Sequence, residues 1–168
     1  MKRIIPLIII LMLLFSACSH SGSGAIKEVN ENTNLPFSLT LKEKDLEYGD
    51  EYKKEPGFGG YTLNKDGLLI WAAGWPDVLD DYHITEYRIT NHEYNVFNIS
   101  VGSALNEAVS VLENKGYIRD SKEESSFGGD RVFKKSEKVK IKLSFDESGN
   151  VYEIWVTAVV TNKENVVF

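Results

Sequence analysis

From Lys138 to Phe145 the chain reads Lys-Val-Lys-Ile-Lys-Leu-Ser-Phe, a strict two-residue alternation. Successive side chains of a strand point to opposite faces, so Val139, Ile141, Leu143 and Phe145 share one face, and the lysines line the other. This is the pattern of a half-buried strand in an antiparallel sheet. Asp146-Glu147-Ser148-Gly149-Asn150 follows, built from the residue types that form turns, and Val151 to Val160 is rich in β-branched and aromatic residues. Together the three segments specify a β-hairpin. The acidic turn places oxygens at alternate positions, as calcium loops do, but it lacks the length and closing glutamate of an EF-hand.

One segment carries the helical period instead. Leu105, Ala108, Val109 and Leu112 recur at the spacing that lines one helix face, which predicts a helix over residues 103–115. Ser103 is its expected N-cap, Glu107 lies near the positive end of the dipole, and Gly116 supplies a left-handed stop. Upstream, Phe37 to Leu41 reads as a short strand, Tyr61 to Trp71 as a hairpin turning at residues 64–67, and Tyr82 to Ile89 as another strand. The expected fold class is α+β, an antiparallel sheet with one main helix packed across it.

The run Ile99-Ser100-Val101-Gly102-Ser103-Ala104-Leu105-Asn106-Glu107-Ala108, then Gly116-Tyr117 and the hairpin, resembles the helix-plus-meander unit of small bacterial envelope lipoproteins, the BamE-like and β-lactamase-inhibitor-protein-like group. The likeness covers residues 99–158. It implies a binding or scaffolding module rather than an enzyme, and a fold-level likeness carries no more than that.

The first eighteen residues address location. Lys2 and Arg3 precede an apolar run from Ile4 to Phe15, and Ser16-Ala17-Cys18 closes it. This is the order of an export signal, and about a dozen apolar residues fall short of the roughly 20 that span a bilayer. The ending Phe15-Ser16-Ala17-Cys18 resembles the lipobox of bacterial lipoprotein precursors, although Phe15 stands where leucine is usual. The resemblance implies acylation of Cys18, cleavage just before it, and attachment to the cell membrane or outer membrane with the domain outside the cytoplasm. Residues 1–17 are then the signal peptide, and 18–36, with Ser-His-Ser-Gly-Ser-Gly and Asn-Glu-Asn-Thr-Asn, read as a flexible stalk. Residues 37–168 form a single domain. Cys18 is the only cysteine, so the domain is held by its core rather than by a disulfide.

Cleavage removes two of the 19 Lys and Arg residues and leaves 17 against 25 acidic ones, a formal charge of −8. Such a balance excludes nucleic acid as a partner, because affinity for phosphate backbones comes chiefly from Lys and Arg. The partners expected are the membrane, through the lipid, and an envelope protein. The expected contact surface is Trp71 and Trp75, on a breaker-containing loop, with the lysine ridge Lys134, Lys135, Lys138, Lys140 and Lys142. Edge-strand protection is the competing account of that ridge.

No catalytic residue, metal site or cofactor is assigned. Asp81, His83, Glu86 and His92 are the densest polar stretch, but His83 and Glu86 differ by an odd number of positions and are expected on opposite strand faces. An envelope hydrolase or metal enzyme using Asp81, His83 or His92 is one alternative. The other is a ligand sensor, which requires a closed apolar pocket among the aromatics. The cluster Gly57-Phe58-Gly59-Gly60 lacks the lysine and helix of a phosphate loop and is expected to be a loop or strand entry.

Overall fold

The computed structural model describes residues 22–74, 81–126 and 130–159 of the 168. Ten strands are present among them: β1 (Lys53–Gly57), β2 (Gly60–Lys65), β3 (Leu68–Ala73), β4 (His83–Ile89), β5 (Asn95–Val96), β6 (Ile99–Ser100), β7 (Ile118–Arg119), β8 (Arg131–Lys135), β9 (Val139–Phe145) and β10 (Val151–Ala158). Eight of them form one antiparallel sheet in the order β1-β2-β3-β4-β10-β9-β8-β7. The fold class is α+β, as expected. Where one main helix was expected, the described residues contain three: α1 (Gly22–Glu31), α2 (Leu105–Asn114) and α3 (Ser121–Ser126).

The hairpin of β9 and β10 is the centre of the sheet. Leu143 opposes Ile154, and Ile141 opposes Val156. On the far side of β10, Ile154 opposes Ile89 and Val156 opposes Tyr87 of β4. All six are buried, and this inner face carries the hydrophobic core. β2 and β3 turn at Asp66-Gly67, both with positive φ (41° and 76°), the geometry that a two-residue hairpin turn demands.

α2 packs Leu105, Ala108 and Leu112 onto the inner face. Its cap differs from expectation: Ala104 is the N-cap residue and makes no side-chain cap bond. The Ser103 hydroxyl instead accepts from the Ser100 amide at 3.1 Å, and the Leu105 amide donates to the Gly149 carbonyl at 2.9 Å. The backbone of the β9–β10 turn thus does the work assigned to Ser103. Gly116, at φ 79°, closes the helix as expected.

The largest departure lies in the expected stalk. From Gly22 the chain is helical, and Ala25 and Val29 of α1 are buried in the core at 3% and 0% exposure. Glu28 pairs with Lys135 at 2.6 Å. Asn30, in the last turn of α1, exchanges two hydrogen bonds with the backbone of Leu39; beyond the helix the Thr33 hydroxyl donates to the Asn95 carbonyl at 2.6 Å, and the Asn95 amide donates to Asn34 at 2.7 Å. Ordering entropy is offset by two buried side chains and this polar staple, which a composition-based reading of residues 18–36 does not register. Residues 37–41 also differ: Thr40 sits at φ 69°, and the segment makes a turn rather than a strand, with an isolated bridge from Lys42 to His83.

Candidate functional site

The outer face of the sheet, opposite the core, gathers side chains that alternate with the buried ones. Two rows cross the strands. Asn64, Leu69, Arg88, Trp155, Lys142 and Val132 form the first, and Thr62, Trp71, Glu86, Thr157, Lys140 and Lys134 the second. At one end α3 closes over this face, which explains why Val132 is fully buried there.

Trp155 is the centre of the open part. It is half-buried, Lys142 Nζ lies 4.3 Å from its ring centroid, and the Arg88 guanidinium lies 5.2 Å away. Its indole N–H donates to Glu153, which also pairs with Arg88. Glu153 itself is 6% exposed, so its charge is held by these two donors rather than by water. Lys142 reaches Asp130 at 3.2 Å. The result is a cation–aromatic–carboxylate chain fixed on rigid strands.

Glu86 lies beside this chain. Burial pushes its carboxyl above the usual carboxylate range, against the smaller opposing effects of the Thr157 hydroxyl, which donates at 3.4 Å, and of the charges on Lys142, Arg88 and Lys140. A carboxyl with a raised pKa holds more protons in the folded state, so stability falls as pH rises through the window above its unfolded value. Glu86→Gln is therefore expected to raise the thermal midpoint at pH 7.5 by roughly 2–4 °C, the shift that about 1 kcal/mol produces in a domain of this size. The difference should shrink as pH falls toward the unfolded value of about 4.3 and be gone by about pH 3, where the carboxyl is protonated in both states. Equal midpoints at pH 7.5 would show that the buried charge costs nothing.

The structure redistributes the expected contact residues. Trp71 lies on the outer face opposite Glu86, but its ring covers the backbone of Gly57, where a Cβ would come within 2.3 Å of the ring. That indole is committed to holding the end of β1. Trp75 lies outside the described residues. The lysine ridge is tied down within the molecule. Lys134 pairs with Asp120 at 2.7 Å and with Glu123 at 2.8 Å, Lys140 with Glu123 at 2.8 Å, and Lys135 with Glu28. Lys138 belongs to a short 3-10 turn, Ser136–Lys138, outside the strands. Edge protection fails as an account as well, because β9 lies between β10 and β8, inside the sheet. Trp155, Arg88, Glu86 and Glu153 were not among the expected contact residues. Their signal is the alternation of Glu153, Trp155 and Thr157 against Ile154, Val156 and Ala158.

The odd-spacing argument for His83 and Glu86 also fails. The β3–β4 ladder shifts register, with Trp71 opposite Glu86 but Ala72 opposite Ile84. Thr85 is the extra residue, and the bulge puts His83 and Glu86 on the same, outer face. Asp81 accepts from the Lys44 amide at 3.3 Å, and His92 is exposed in the turn after β4. Among the described residues no group of three or more His, Cys, Asp or Glu side chains is placed to hold a metal ion. A cleft of about 550 Å³ opens where the outer face meets the β2–β3 turn, lined by Glu51, Lys53, Lys65 and Arg88 among others. Its charged lining is unlike the closed apolar pocket that a ligand sensor calls for.

No protein-family model, curated protein or solved structure matches this chain. No helix among the described residues is long and apolar enough to cross a membrane.

Proposed function

We infer that this protein is a lipid-anchored extracytoplasmic module that acts by binding an envelope protein, without catalysis, through the outer face of its sheet. The address rests on the order of Lys2-Arg3, the apolar run and Ser16-Ala17-Cys18. In this reading α2 is the main helix of a helix-plus-meander unit over residues 99–158, similar to the unit of BamE-like envelope lipoproteins. The observation that carries the binding role is Trp155, half-exposed between Arg88 and Lys142 on an open sheet face. Tryptophan and arginine held rigidly at the middle of a surface are the residue types on which protein interfaces concentrate their energy.

The test is site-specific photocrosslinking in the producing cell from Leu69, which neighbours Arg88 in the outer row. A discrete adduct is expected, lost when Trp155→Ala is added to a chain that keeps its thermal transition. Adducts unchanged by Trp155→Ala would remove the outer face from the account.

A further inference from the structure

The helix that replaces the stalk fixes how the domain meets the bilayer. Three residues, Ser19-His20-Ser21, lie between Cys18 and Gly22, where α1 begins, which makes four chain steps. A chain spans at most about 3.5 Å per residue, so the first residue of α1 lies within about 14 Å of an acylated sulfur. From there the helix rises about 1.5 Å per residue, which brings Glu28 only about 9 Å further. α1 is not free to swing away, since Ala25 and Val29 are in the core and Glu28 is paired with Lys135.

We propose that the surface around α1 is a membrane-facing surface, held against the lipid headgroups by the short tether, with the outer sheet face turned away from the bilayer. The proposal rests on the lipid-anchor reading above and deepens it. α1 packs against the Ser136–Lys138 turn and the start of β9. Lys135, besides meeting Glu28, donates to the Lys115 carbonyl at 2.6 Å, so the end of α2 belongs to the same surface. Lys27, Lys115, Lys135 and Lys138 are there balanced by Glu28, Glu31, Glu113 and Glu137. The chain as a whole is acidic, whereas the charges of this region cancel, so it adds no net repulsion from an anionic bilayer.

The sheet lies between α1 and the outer face. A packed helix and sheet are separated by about 10 Å, and the outer side chains extend beyond that. Laying the outer face on the bilayer would use the whole stretched tether. Facing α1 to the bilayer needs none of it. The arrangement leaves Trp155 and Arg88 open to a partner in the aqueous space.

The mature protein contains no thiol besides Cys18, so a single new cysteine is a unique labelling site. Lys27→Cys places a fluorophore on exposed α1, and Glu55→Cys places one on the outer-face side of β1. The acylated proteins are incorporated into phosphatidylcholine–phosphatidylglycerol vesicles (3:1) containing a headgroup-borne nitroxide quencher. Quenching at position 27 is expected to exceed that at position 55 at least twofold, and a twelve-residue Gly-Ser insertion between Ser21 and Gly22 should abolish the difference. Flotation of the protein with the vesicles together with equal quenching at the two positions would overturn the membrane-facing surface while leaving the anchor intact. Failure to float would overturn the anchor and this surface together.

Discussion

Val29→Asp is expected to detach α1 and to lower the stability of the folded protein by up to about 3 kcal/mol. Val29 is fully buried in the core, and Lys135, the β8 lysine that meets α1, is already held by Glu28 and the Lys115 carbonyl. An uncompensated buried charge costs several kcal/mol, more than undocking a ten-residue helix that contributes two buried side chains. The cheaper response is therefore release of α1, while the sheet, whose ladders do not involve α1, remains paired. Hydrogen exchange should show residues 25–31 losing protection and β9 and β10 keeping theirs. Release would also lengthen the tether from about 14 Å to about 45 Å, counting residues 18–31 at their extended length, because Thr33 and Asn34 stay bonded to Asn95. Unchanged protection over 25–31 would mean that α1 contributes no binding energy to the domain.

The second large effect belongs to α3. Its sequence, Ser-Lys-Glu-Glu-Ser-Ser, has no apolar residue, so it is held by charge. Glu124 accepts two hydrogen bonds from Arg119 at 2.7 Å and one from the Val132 amide at 3.2 Å, with its side chain only 8% exposed. Glu124→Ala strands a buried amide and removes a bidentate pair, an expected loss of about 2 kcal/mol. The Arg119 guanidinium holds the Glu124 carboxyl below its usual range, Lys134 and Lys140 do the same for Glu123, and Lys134 for Asp120. Depressed carboxyls contribute stability that is present above their unfolded values and is lost as pH falls through the folded ones. Amides of residues 121–126 should accordingly lose exchange protection below about pH 4, before the central strands do. Simultaneous loss across the domain would contradict a locally charge-held helix.

These two helices mark where the sequence stops being readable. The alternation from Lys138 to Phe145, the turn at 146–150 and the stripe Leu105-Ala108-Leu112 were legible because each carries its period in side chains that the fold buries. α1 was not, because Ser, Gly, Asn and Glu dominate its surroundings and only Ala25 and Val29 commit to the core. α3 was not, because ion pairs with Arg119, Lys134 and Lys140 leave no hydrophobic period. The lysines of β9 look the same in an edge strand and in a central one; their place is set by β8, whose Val132 and Lys134 extend the outer face. The site suffered the same limit. A single inserted residue, Thr85, reverses the parity that sequence spacing assigns to His83 and Glu86, and nothing local in β4 announces it.

The outer face and the membrane-facing surface have one premise in common, the lipid on Cys18. The mass of the intact protein, extracted in detergent from the cell that makes it, tests that premise most directly. The account predicts a chain that begins at Cys18, lacks residues 1–17 and carries acyl mass on that cysteine, with the acyl mass absent in Cys18→Ala and unprocessed precursor accumulating under globomycin. A mature chain with an unmodified Cys18 thiol, or one cut within residues 19–24, would contradict it.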